Sequence, residues 1–231
     1  MPTIPQMSLI AGVGYPTIPQ ICLTAGIGYL VGSLSFAILV ARARGVDIRS
    51  VGSGNPGATN VKRALGRGAG NLVFLLDFLK GFLPALWPML VFVNGSGLLS
   101  ILGLTGAILG HSFPVYYGFK GGKGVATTMG GMLAVMPVVM LIGVLAWVVV
   151  FYTVRLVSVA SIAFGLVLPL AGWGLHAWRP GWFVNILNNS GGDHRPELVF
   201  ALLISLLILV RHRANIVRLL RGEELSFKKK D

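Results

Sequence analysis

The residues best equipped for chemistry lie together in Val51–Arg63, VGSGNPGATNVKR. Three glycines, two hydroxyls, two asparagines and two cations occupy thirteen positions. Glycines let backbone amides turn toward a ligand, and successive exposed N–H groups form concave anion sites. The spacing approaches that of a nucleotide-binding loop, with Gly52, four residues and then Gly57. Ala58 stands where such a loop needs its lysine, followed by Thr59, so a nucleotide triphosphatase is excluded. A flexible glycine-rich connector is the bland alternative. Asn55-Pro56-Gly57 argues for a defined turn, and Arg63 offers a forked guanidinium suited to phosphate. The candidate anion-binding residues are Ser53, Gly54, Asn55, Gly57, Thr59, Asn60 and Arg63.

Three further groups carry polar chemistry. In Gly110–Thr128, Gly121 and Gly122 lie between Lys120 and Lys123, and an apolar helix is expected from Val125. A glycine-rich turn opening a helix presents orphan amides to an anion, although the lysines serve equally as topology anchors. His111 reads as structural. In Arg211–Glu224, His212 and Asn215 are three apart and share a helix face, where together they can hold hydroxyl groups. The same basic stretch also reads as an amphipathic helix resting on anionic lipid. Asp77 and Lys80 lie three apart inside an apolar segment. Charges there are costly and usually pair toward the bundle interior, as a functional pair or a structural one. Ser158 and Ser161 open another apolar segment.

Several chemistries are missing. The residues five after His111, His176, His194 and His212 are Tyr116, Gly181, Val199 and Val217, so no His-x-x-x-x-Asp acyltransferase motif exists. There is no Gly-x-Ser-x-Gly, and no carboxylate cluster or Cys/His spacing for a metal. The single cysteine, Cys22, forms no internal disulfide. An enzyme built from this inventory must take much of its reactivity from the substrate.

The elements that position these groups are membrane spans. The chain has 231 residues, 55% hydrophobic and 11% charged, whereas soluble domains carry about a quarter charged residues. Apolar segments cover 21–41, 71–93, 98–110, 125–136, 138–153, 156–175 and 197–210, the fourth of them short. Pro137 favours a break between the fourth and fifth; fusing them gives six spans. Charge decides for seven. With the amino terminus outside, the inner segments hold 16 of the 19 Lys and Arg, the outer ones hold Arg179 and Arg195, and Lys80 lies within a span. That asymmetry fits the positive-inside rule. Six spans would put the seven carboxyl-terminal cations opposite the first loop. The net charge of +12 therefore reports topology rather than nucleic-acid binding. The expected fold is an all-α integral membrane protein with seven transmembrane helices, amino terminus outside and carboxyl terminus cytoplasmic. On this topology the loop 42–70, the glycine-rich loop, Ser161 and the basic tail share one face.

No removable signal is expected at the amino terminus. It carries a duplication, Pro2–Tyr15 followed by Pro16–Tyr29, identical at ten of fourteen positions. Two copies are too few for a repeat fold. The expected organisation is an extension over 1–20, a membrane domain over 21–224 and a basic tail over 225–231.

Taken together, GSLSF (Gly32–Phe36), VGSGNPGATNVKRALG (Val51–Gly66), DFLKG (Asp77–Gly81), GHSFPVYYGFKGGKGVAT (Gly110–Thr127) and RHRANIVRLLRGEE resemble the acyl-phosphate:glycerol-3-phosphate acyltransferase family (PlsY) of bacterial membranes. The resemblance spans about Ile21 to Glu224. The duplicated terminus and the long loop Gly172–Arg195 depart from it, both on the expected outer side. It implies transfer of a fatty acyl group from acyl phosphate to the 1-hydroxyl of sn-glycerol 3-phosphate at the cytoplasmic face of the bacterial inner membrane. The partners implied are these two substrates and the lipid bilayer, with no cofactor and no nucleic acid. In family terms Ser53, Arg63 and Lys123 grip phosphate, and Ser161, His212 and Asn215 hold the glycerol moiety. Lys80 and His111 support them. The proton is taken by His212 or by a substrate phosphate oxygen, the latter preferred. An organic-phosphate transporter is the alternative, and a non-catalytic lipid-binding protein a third. Transporters commonly show inverted repeats with midplane sites, and this sequence shows neither.

Overall fold

Apolar segments can satisfy their backbone polar groups inside a bilayer only as helices or closed barrels. The computed structural model is helical in every regular element of its described residues, 16–92, 96–178 and 195–226. The first copy of the duplication, the loop residues 179–194 and Lys228–Lys230 lie outside the described residues.

In chain order the helices are α1 (Ile18–Gly32), α2 (Phe36–Arg42), α3 (Ala58–Val91), α4 (Ser96–Ser112), α5 (Val125–Val135), α6 (Pro137–Val154), α7 (Val157–Trp178), α8 (Arg195–Arg211) and α9 (Arg213–Leu220). α1 and α2 act as one broken span. Five stretches are long and apolar enough to cross a bilayer: Ile18–Arg42, Ala58–Val91, Gly97–Tyr117, Pro137–Val154 and Val157–Leu175. α8 and α9, bent by 55°, make a sixth if counted as one. The remaining expected crossing is α5. Its 11 residues rise about 16 Å, half of the roughly 30 Å of hydrocarbon. Pro137 does separate α5 from α6. Met136 leaves helical geometry (φ −141°, ψ 67°) and the proline opens the next helix, so the fused span is not formed.

The first polar loop is shorter than the sequence suggests. Its expected limit was Gly70, but Ala58 already begins α3. The helix is interrupted at Gly66 (φ 87°, ψ 176°), a conformation suited to glycine. There the chain turns back on itself. A Cβ built on Gly70 would lie 2.4 Å from Lys62 Cβ, although eight residues of straight helix would separate them by about 12 Å. Residues 58–65 thus fold back along the span and carry the motif inward.

Close helix contacts rest on small residues, as expected where lipid gives no hydrophobic drive between helices. A Cβ at Gly28 in α1 would lie 2.2 Å from the Gly103 carbonyl oxygen in α4; one at Gly81 in α3 would lie 1.9 Å from that of Thr127 in α5. A large apolar core gathers around Leu104, Met132, Phe164, Leu168 and Ile208. A smaller one, including Ala37, Ile38, Ile48, Val61 and Val73, underlies the motif loop. α6 turns Leu141, Leu145 and Val149 outward.

Candidate functional site

The motif loop is held by one buried side chain. Asn60 Nδ2 donates to the Ile48 and Val51 carbonyls at 3.0 and 2.9 Å. Its Oδ1 accepts the Ser53 N–H at 2.9 Å. An amide that fills its donors and acceptor in this way fixes the loop and has little left for a ligand. Gly52 (φ 56°) and Gly54 (φ 67°) supply the left-handed turns. The Gly54 N–H donates to the Val51 carbonyl at 3.0 Å. Asn60 and Gly54, expected among the phosphate ligands, shape the loop instead.

The glycine-rich loop is also differently employed. The Gly121 and Gly122 N–H groups donate to the Ser112 and His111 carbonyls at 3.2 and 3.0 Å. Both amides, expected to face an anion, are engaged within the protein. Their carbonyls accept the Arg211 guanidinium: Nη2 reaches both at 2.8 Å, and Nε reaches Gly122 at 3.1 Å. Arg211 also lies over the Phe113 ring, 5.1 Å from its centroid. Arg49 joins this loop to the first, with Nη2 donating to the Tyr117 and Lys120 carbonyls at 3.2 and 2.8 Å. These clamps leave Lys123 projecting from a rigid turn.

Lys123 Nζ donates to Asn215 Oδ1. Asn215 Nδ2 donates to Glu224 Oε1 at 2.6 Å, and Arg218 Nε donates to Glu224 Oε2 at 2.9 Å. Arg63 Nη2 donates to the Leu225 carbonyl at 2.9 Å. The chain after α9, turned by Gly222 (φ 71°), is thereby strapped back onto the motif. At the α8–α9 break, the buried His212 hydrogen-bonds the Ile208 carbonyl through Nδ1 at 2.8 Å. In a neutral ring this places the proton on Nδ1 and leaves Nε2 as an acceptor. Trp147 Nε1 in α6 donates to Ser161 Oγ in α7 at 3.3 Å.

These groups surround a cavity of about 330 Å³. Its polar lining includes Ser53, Asn55, Thr59, Arg63, Asp77, His111, Lys123, Ser158, Ser161, His212, Asn215 and Glu224; Phe74, Met129, Val144, Trp147 and Val148 make up an apolar flank. Phe74 and Val148 are exposed, which opens that flank toward lipid. Gly57 caps α3 and Gly124 caps α5, and both line the cavity, as does Val157 at the start of α7. Three helix N-termini therefore add orphan amides and positive dipole ends. Burial is the largest influence on Lys123. With Arg218, Arg211 and Arg63 it lowers the ammonium to about 8, against the opposing pull of Glu224. Burial raises Glu224, but the hydrogen bonds from Asn215 and Arg218 outweigh it and hold the carboxyl below its usual range. Such a lining offers cations and apolar side chains to one occupant.

Of the residues named from sequence, Ser53, Asn55, Gly57, Thr59, Asn60, Arg63, Asp77, His111, Lys123, Ser161, His212 and Asn215 line the cavity. Gly54, Gly121, Gly122 and Lys80 stand behind it. Lys80 pairs with Asp77 at 3.0 Å and donates to the Leu34 carbonyl at 2.7 Å. Sequence reasoning gave no role to Glu224, Ser158 or Trp147. Among the described residues no group of three or more His, Cys, Asp or Glu is placed to hold a metal.

The family model for glycerol-3-phosphate acyltransferase matches residues 22–222. The chain belongs to this family. Its relatives include a glycerol-3-phosphate acyltransferase of Aquifex aeolicus, 47% identical over 198 residues covering 86% of this chain and 94% of the relative. One from Shewanella woodyi is 42% identical over 202 residues, covering 87% and 90%. Two solved structures superpose closely. Both are of PlsY (YgiH), an integral membrane glycerol 3-phosphate acyltransferase, 42% identical to this chain. Its glycerol 3-phosphate form has a TM-score of 0.77, covering 90% of this chain and 96% of that one. Its lysophosphatidic acid form has a TM-score of 0.74, covering 90% and 95%. This glycerol-3-phosphate acyltransferase family member is thus a multi-pass membrane protein, in agreement with its long apolar helices.

Proposed function

We propose that this protein transfers a fatty acyl group from acyl phosphate to the 1-hydroxyl of sn-glycerol 3-phosphate, giving 1-acyl-glycerol 3-phosphate and inorganic phosphate. The observation that carries the reading is the cavity lining, in which Arg63, Lys123 and three helix N-termini accompany a set of apolar side chains. The substrate and product forms of the related PlsY are consistent with it.

The glycerol oxygen attacks the acyl carbonyl carbon, and the bond from that carbon to the phosphate oxygen breaks. The hydroxyl proton passes to a phosphate oxygen, so phosphate leaves as a stable anion. No covalent acyl-enzyme is required. Bringing two anionic substrates together costs Coulomb repulsion, which Arg63, Lys123 and the helix N-termini offset in the transition state. Ser53 and Thr59 join them on phosphate. Ser161, His212 and Asn215 orient the glycerol moiety, and positioning alone contributes several kcal/mol. The acyl chain lies along Phe74, Met129, Val144 and Val148.

The proposal includes the topology: seven crossings with α5 as the short one, the amino terminus outside, and the cavity at the cytoplasmic face of a bacterial inner membrane. The duplicated extension 1–20 and the tail 225–231 flank the catalytic domain 21–224. The deciding experiment measures phosphate release from palmitoyl phosphate by purified protein. Release strictly dependent on glycerol 3-phosphate, with matching lysophosphatidate, is expected. Uptake of glycerol 3-phosphate into proteoliposomes without release would replace the enzyme by a transporter.

A further inference from the structure

Trp147 lies in α6, the helix most open to lipid, and its ring stacks on Phe151 with centroids 5.0 Å apart. Its polar edge turns the other way. Nε1 donates at 3.3 Å to Ser161 Oγ, and both residues line the cavity. Ser161 is 3% exposed.

The chemistry of the pair is asymmetric. An indole N–H only donates, whereas a hydroxyl has one proton and two lone pairs. An indole held on the serine oxygen removes one acceptor position and keeps the hydroxyl from turning its proton toward α6. An anionic oxygen in the cavity then meets a donor already directed at it. We propose that Trp147 is a positioning residue for acyl transfer, acting through Ser161: its indole N–H sets the Ser161 hydroxyl as a donor toward the substrate. The ring also marks the level at which the substrate head gives way to its acyl chain.

The inference rests on the proposed function, since it needs a reaction that Ser161 serves. Trp147→Phe retains the ring stack and removes the donor. It is expected to lower kcat/KM for glycerol 3-phosphate by about three- to tenfold, the size of one neutral hydrogen bond. The thermal midpoint should stay within about 2 °C of wild type. Ser161→Ala removes the group through which Trp147 acts, so the double variant should be no worse than Ser161→Ala alone. Losses that multiply, or a Trp147→Phe enzyme indistinguishable from wild type, overturn the inference. A fall in midpoint that accounts for the lost rate does so too. Trp147→Leu, which removes ring and donor together, should lose more activity than Trp147→Phe. Equal losses point away from the ring's part in placing the chain. A wild-type protein inactive on both substrates refutes the proposed function instead, so the two failures are distinguishable.

Discussion

Two buried charge clusters lie within this bundle, and they are built to opposite ends. Asp77, Lys80 and His111 form one. Lys80 meets Asp77 at 3.0 Å, His111 Nδ1 lies 3.8 Å from the same carboxylate, and all three residues are buried. The remaining donor capacity of Lys80 goes to the Leu34 carbonyl and the Phe36 ring face. That cluster is balanced in charge, one cation to one carboxylate, although Asp77 and His111 line the cavity. The other gathers Arg63, Lys123 and Arg218 around the single carboxylate of Glu224 and adds helix N-termini of the same sign. Its positive charge is in surplus, and Arg63 and Lys123 bring it to the same cavity. A neutralised cluster stabilises the fold in which it sits, whereas one of excess sign is complementary to something that arrives.

The largest expected effect tests the balanced cluster. Lys80→Met leaves the Asp77 carboxylate buried without its cation, a change that costs about 3–5 kcal/mol in such pairs. Thermal unfolding in detergent should show that loss, and adding Asp77→Asn should restore most of it. A variant of unchanged stability that has lost turnover would move Lys80 from scaffold to catalytic machinery.

The open cluster should respond the other way. Lys123→Ala and Arg63→Ala remove charge from the cavity and are expected to lower kcat/KM by at least about 100-fold, as loss of a preorganised electrostatic donor does. The thermal midpoint should change little. Normal turnover in either purified variant refutes the phosphate clamp.

Glu224 sits between these cases, because it is an internal counter-charge and also pins the strap to α9. Glu224→Gln weakens charge-assisted bonds from Arg218 and Asn215 and should cost about 1–3 kcal/mol of stability. The surviving folded protein should still bind phosphate, since the cation excess grows. Full stability with no turnover would assign Glu224 to proton transfer and erase the contrast between the clusters.

The sequence displayed the ends of this architecture better than its interior. That Ser53, Arg63, Lys123, His212 and Asn215 gather in one place was legible because glycines and cations interrupt otherwise apolar runs, and bilayer physics leaves such interruptions few explanations. The break before α6 was legible in Pro137 for the same reason. The turn-back at Gly66 was not. Gly66, Gly68 and Gly70 stand close together, and only tertiary packing selects the one with φ 87°. The inward side chain of Asn60 and the engaged amides of Gly121 and Gly122 depend on partners far away in the chain. Trp147 was hidden within an apolar run, where an indole looks like any other lipid-facing residue.

His212 gives a smaller effect and separates positioning from direct proton transfer. With its Nδ1 proton held by the Ile208 carbonyl, the ring keeps Nε2 as an acceptor, which under the proposed function serves a glycerol hydroxyl. His212→Gln should raise KM for glycerol 3-phosphate by about tenfold and leave kcat within about threefold. A pH-independent collapse of kcat at unchanged KM would make His212 the base.

The smallest effect, a pH slope, comes from the open cluster alone. The Lys123 ammonium is lowered to about 8, so the clamp is charged below that pH and neutral above it. Log kcat/KM, which reports the free enzyme, should therefore bend downward through pH 8, losing about threefold between pH 7.5 and 8.5. Stability moves in the opposite sense. Because the folded state releases this proton before the unfolded state does, the unliganded protein gains stability as pH rises from about 8 toward the ordinary lysine value. Lys123→Arg keeps a charge across this range and should flatten both curves. An unchanged bend in that variant would show that the titrating group lies elsewhere, and that the excess charge of the cavity does not depend on Lys123.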